Sequence, residues 1–105
     1  MVEINNIDKP LILDAVRAWT GWGKSAMPLR DNAAVKSRLG SEVGSRLLPV
    51  LNALAEDFYS TNARYVAADL AEMGDMAAAE FKAKYPALPG EVAEAFAWCY
   101  TFDFK

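Results

Sequence analysis

Histidine is absent from all 105 residues, and cysteine occurs once, at Cys99. The first absence removes the side chain that most often acts as general base or metal ligand near neutral pH. Together the two exclude an internal disulfide and a zinc site built from Cys and His within one chain. Without a histidine to raise its thiolate fraction, Cys99, between Trp98 and Tyr100, reads as a small buried hydrophobe and not as a nucleophile. No apolar run approaches the roughly 18 residues needed to span a bilayer. Residues 1–8 lack the basic-then-apolar order of a signal peptide. The expectation is a cytoplasmic protein without membrane attachment. Internal repeats and low-complexity tracts are also missing.

The Gly23-Lys24-Ser25 triplet ends like a phosphate-binding P-loop, but the earlier glycine of that motif falls on Ala18. The context fails too. A helical pattern precedes the triplet where a strand belongs, and Met27-Pro28 interrupts the helix that would receive the phosphate. A weaker reading survives, in which a glycine turn with Lys24 and Arg30 nearby holds an anion.

What the chain does contain is globular composition, 53% hydrophobic and 24% charged, well away from the signature of disorder. Its length fits one helical domain over residues 1–105. Net charge is −3, unevenly spread. Residues 1–50 hold seven cations against five acids, and residues 51–105 hold four against nine, giving +2 and −5. A dipolar surface of this kind steers partners.

Helical spacing dominates the pattern. Asp8 before Lys9-Pro10 reads as a helix start, and Leu11, Ile12, Ala15, Val16 and Trp19 share one face until Gly21. Asp31 is a candidate cap for a short helix carrying Ala34, Val35 and Leu39, ended by Gly40. Leu47, Val50, Leu51, Leu54 and Phe58 form the strongest apolar stripe. Pro49 leaves two choices: a helix starting near Arg46, or one running from Ser41 through the proline. After the polar break at residues 60–62, a helix with Tyr65, Val66, Leu70 and Met73 inward is expected to stop at Gly74, with Asp75 capping the next. That next helix offers Ala77, Phe81 and Tyr85. Pro86 and Pro89 end it and launch the last, from about Gly90 with Val92, Phe96 and Trp98. The nineteen alanines favour close helix packing over a sheet.

The fold class expected is therefore all-α, a compact bundle of five or six short helices. A terminal extended ribbon is the variant considered, because Trp98, Tyr100, Phe102 and Phe104 alternate with other residues at strand period, as do Val2 to Asn5. The alternative is a helix followed by aromatic coil packed over a core edge.

Two segments carry the functional candidates. Residues 19–30 break the helical pattern yet bring together Trp19, Trp22, Lys24, Met27 and Arg30, residue types enriched at interface hot spots. They are the proposed contacts with another protein, as in an inhibitor, an immunity-type antidote or an adaptor. In the competing reading the same loop lids a cavity in a small ligand-binding or minor enzymatic domain, with Lys24 or Arg30 on an anionic group. Trp98, Tyr100, Phe102 and Phe104 are the candidates for self-association as a homodimer. The carboxylate pairs Glu56 with Asp57, Asp69 with Glu72 and Glu91 with Glu94 are read as wet helix faces and not as catalytic or metal sites. No cofactor is expected. Nucleic acid is disfavoured by the overall acidity, although residues 17–46 carry six cations against two acids beside two tryptophans.

Overall fold

The apolar stripes resolve into six helices in the computed structural model, which describes residues 9–105. They are α1 (Lys9–Thr20), α2 (Asn32–Leu39), α3 (Ser41–Tyr59), α4 (Ala63–Val66), α5 (Leu70–Lys84) and α6 (Gly90–Asp103). No strand occurs among the described residues, so the chain is all-α. The cap expected at Asp8 and the alternation at residues 2–5 lie outside the described residues.

Capping chemistry sets several boundaries. The Asp31 carboxylate accepts from the Ala34 N–H at 3.0 Å and starts α2, satisfying a donor the helix itself cannot. Gly40, at φ 90°, ends α2 and leads straight into α3. Helix α3 continues from Ser41 through Pro49. The ring removes one helical hydrogen bond, to the Ser45 carbonyl. Both residues lie on the solvent face, where the loss of an internal partner costs least.

The stretch after residue 62 departs from the expected single helix. One turn, α4, stops at Val66, and Asp69 caps α5, its carboxylate accepting from the Glu72 N–H at 2.8 Å. Met73 is buried as expected, but Tyr65, Val66 and Leu70 are exposed. Gly74 and Asp75 are not a junction. Gly74 lies inside α5, where an added Cβ would come within 3.0 Å of Thr101 Cγ2 on α6. The glycine serves close helix packing, a tertiary demand that a one-dimensional reading takes for a stop signal.

The C-terminal aromatics are helical to Asp103, so the extended tail is excluded. Residues two apart on a helix lie 200° apart, so alternating aromatics fall onto two opposite faces. Phe96 and Tyr100 face inward to Phe58, with ring centroids 5.8 Å away in both cases. Phe81 of α5 closes this nucleus at 5.4 Å from Phe58. Trp98 and Phe102 take the other face, partly exposed. Helix α6 packs on α1, α3 and α5, while α2 packs on α1 and α3.

Two polar contacts pin α5 to α3. Lys84 Nζ approaches Asp57 Oδ1 at 3.3 Å, and the Tyr85 hydroxyl donates to the other Asp57 oxygen. The Tyr85 hydrogen bond, aided by Lys84, holds the Asp57 carboxyl below the usual carboxylate range.

Two predictions arise here. Because the Asp57 pKa is depressed in the fold, its contribution is present above the unfolded value of about 3.9 and is lost as pH falls through the folded one. Tyr85→Phe should therefore cost about 1–2 kcal/mol at pH 7 and visibly less at acid pH, read by urea unfolding at both. An added Cβ at Gly44 would meet the Lys36 backbone at 3.0 Å, whereas at Gly90 the nearest atom is the flexible Lys82 Cε at 3.7 Å. Gly44→Ala should destabilise in thermal unfolding despite a propensity gain of about 1 kcal/mol; Gly90→Ala should be neutral or stabilising.

Candidate functional site

Helix α1 ends because Gly21 adopts φ 78°, a conformation that disfavours any Cβ. A side chain there would also come within 2.7 Å of Ser25 Cβ. The turn is closed by Lys24 and Ser25 N–H groups donating to the Gly21 carbonyl at 2.9 and 2.8 Å. Further on, Leu29 N–H donates to the Thr20 carbonyl at 3.0 Å and Asp31 N–H to the Trp19 carbonyl at 2.9 Å. Thr20 organises the entry. Its buried hydroxyl donates to the Val16 carbonyl at 2.8 Å and accepts from the Trp22 N–H at 3.2 Å. Segment 21–31 is thus irregular in dihedrals but pinned at both ends to the last turn of α1.

The structure divides the candidates of this segment between two sides. Trp19 is only 2% exposed and belongs to the core, its indole N–H donating to Asn32 Oδ1 at 2.9 Å. Its ring is almost wholly buried and is a support for the segment rather than a contact surface. Arg30 lies on the same side as Trp19, its guanidinium 5.1 Å from the Trp19 ring and 5.7 Å from that of Tyr59. It donates to the Tyr59 hydroxyl at 3.2 Å, and Tyr59 donates to Asp103 Oδ2 at 2.6 Å. Burial, reinforced by the Asp103 carboxylate, pushes the Tyr59 phenol far above its ordinary value, so it remains a donor. Arg30 is therefore engaged in tying the segment to α3 and α6. It does not share a site with Lys24.

Trp22 and Lys24 open on the other side, onto a cleft of about 410 Å³ between α1, the segment and α2. Ala18, Trp22, Leu29 and Ala34 supply its apolar surface, and Arg17, Lys24 and Arg38 its cations. Arg17 stacks over the Trp22 ring at 5.4 Å, holding the indole in place. Arg38 is paired with Asp14 through two contacts of 3.0 and 3.2 Å. Asp31 is occupied as the α2 cap. Lys24 alone of the three cations has no ion pair or stacking partner among the described residues. Leu29 lines the cleft and is 45% exposed, and Met27, two residues earlier on the segment, is 55% exposed.

Thr20, Arg17, Arg38 and Tyr59 are the participants that sequence reasoning passed over. A threonine preceding a helix-ending glycine is a recognisable turn signal. The others arrive from α1, α2 and α3, and nothing in their local sequence announces the meeting.

The C-terminal candidates divide as well. Tyr100 is fully buried, and its hydroxyl accepts from the Arg64 N–H at 3.1 Å. Phe104 packs on Tyr59 and Tyr100, under the Arg64 guanidinium at 4.5 Å. Trp98 and Phe102 line a separate shallow groove between α5 and α6. Cys99 is fully buried, and burial pushes its thiol up against the opposing pull of Arg30, which suits a packing role.

The carboxylates do local work. Asp57 holds Tyr85 and Lys84, Asp69 caps α5, and Glu94 pairs with Lys82 at 2.8 Å. No group of three or more metal-ligating side chains converges among the described residues, and no described helix is long and apolar enough to cross a membrane. Comparison with known protein families, curated proteins and solved structures finds no match to this chain.

The contrast between the two neighbouring indoles is directly measurable. Among variants that keep a single tryptophan, the others replaced by Phe, acrylamide should quench Trp22 measurably more than Trp19. Equal protection of the two would remove Trp22 from the accessible cleft.

Proposed function

We propose that this chain is a small protein-binding module. It grips its partner with segment 21–31 and the cleft beneath, on a partner surface that presents a carboxylate beside an apolar side chain. The observation that carries this reading is the exposure of Met27 and Leu29 on a segment whose backbone is pinned at both ends, next to the unpaired Lys24. Exposed apolar side chains on an ordered loop gain most when a partner covers them, and a loop held in advance loses little entropy on binding. Trp22 and Leu29 supply the apolar wall, and Lys24, with Arg17 and Arg38 behind it, the charge complement.

A photo-crosslinker at residue 27, used in lysate of the source cells, tests the reading. It should trap a defined protein that excess unlabelled chain competes away and the Lys24→Glu, Leu29→Asp variant does not. Both substituted side chains are exposed, so the variant should keep its helical circular dichroism. Equal competition by the two would remove the segment as the contact.

The cleft volume favours one second reading, a small anionic ligand, since about 410 Å³ lies within the range of small-molecule sites. Phosphate, citrate and nucleotides at millimolar concentration should then raise the melting temperature by mass action on the folded state, and Lys24→Glu should abolish the rise. No shift with any of them would leave the protein-binding reading alone.

A further inference from the structure

A groove of about 510 Å³ lies away from segment 21–31, on the outer face of the α5–α6 hairpin. Its floor is made of small residues, Ala71, Gly74 and Ala97, and its apolar walls are Leu70, Trp98 and Phe102. Leu70 is 46% exposed. Trp98 and Phe102 project from a helix whose opposite face already fills the Phe58 nucleus, and both remain partly exposed.

We propose that this face is a two-fold interface between two copies of the chain. An isologous contact requires one patch to supply both halves of every interaction, and this patch does so in shape and in charge. Knobs, Trp98 and Phe102, lie beside the shallow floor of small residues that receives such knobs. Lys105 lies at the edge of the groove against the Phe102 ring, 4.2 Å from its centroid, and Asp75 lines the same groove. Glu94 is already neutralised by Lys82 at 2.8 Å, whereas Asp75 has no ion-pair partner among the described residues.

The register follows from the hairpin. Gly74 lies opposite Thr101, and Lys82 opposite Glu94, so α5 and α6 run antiparallel and Leu70 sits at the same end as Lys105. An axis near Phe102 then sets Lys105 against Asp75 and Trp98 against Leu70 across the interface, twice each. The cationic cleft between α1 and α2 lies outside this face and stays open in the dimer.

Sedimentation of the intact chain across concentrations up to about 1 mM, a range that reaches weak associations, tests the proposal. The expected result is a reversible monomer–dimer equilibrium that Leu70→Glu weakens about tenfold or more. Asp75→Lys and Lys105→Glu should each weaken it, and the double variant should restore it. All four variants alter exposed side chains, and unchanged circular dichroism and melting confirm that the fold persists. A concentration-independent monomer overturns the proposal. A dimer indifferent to Leu70→Glu, or one that the charge exchange does not restore, overturns this face as its interface.

Discussion

The rings of Phe58, Phe81, Phe96 and Tyr100 meet edge-on or tilted at the point where α3, α5 and α6 converge. Every other feature is built outward from that nucleus. Aromatic rings bury more area per residue than any other side chains and prefer these inclined arrangements, so three helices are held in fixed rotation about their axes. Once α6 is fixed with Phe96 and Tyr100 inward, its other aromatics must turn outward. Trp98 and Phe102 are left partly exposed because of what Phe58 requires.

The same nucleus governs segment 21–31 indirectly. Tyr59 follows Phe58, stacks edge-on against Tyr100 at 5.2 Å, and donates to Asp103 near the end of α6. Arg30 lies over Tyr59 and Trp19 at once. The irregular segment is therefore tethered to α1 through backbone hydrogen bonds and to α3 and α6 through one guanidinium. The two tryptophans at its start, Trp19 and Trp22, take opposite roles. Trp19, in the last turn of α1, faces the core and its Asn32 partner, while Trp22, beyond the glycine, is turned toward the cleft and backed by Arg17.

Charge is segregated along the chain, with +2 in residues 1–50 and −5 in residues 51–105. The helices of the second half use much of their acidity locally, for capping at Asp69 and for pairing at Asp57 and Glu94. Lys24 of the first half and Asp75 of the second remain unpaired among the described residues. The molecule thus offers two faces of different character: a cationic cleft with a partly apolar wall, and an apolar groove carrying both signs.

The sequence by itself determined that the chain is all-α and where most helices begin and end. Those features depend on local chemistry: the 3.6-residue apolar stripe of α3, the carboxylate cap at Asp31, the positive-φ glycines at 21 and 40. Tertiary structure alone decided the rest. Gly74 reads as a helix stop in one dimension and is a helix-packing contact in three, because its missing side chain is needed by Thr101 on another helix. The aromatic alternation at the C-terminus fits a strand or two helix faces equally until Phe58 is there to receive Phe96 and Tyr100. Lys24 and Arg30 are six residues apart, yet they face opposite sides, since the chain between them crosses the end of α1 and each cation finds neighbours from helices remote in sequence. Exposure is a property of what covers a residue, and what covers it comes from elsewhere in the chain.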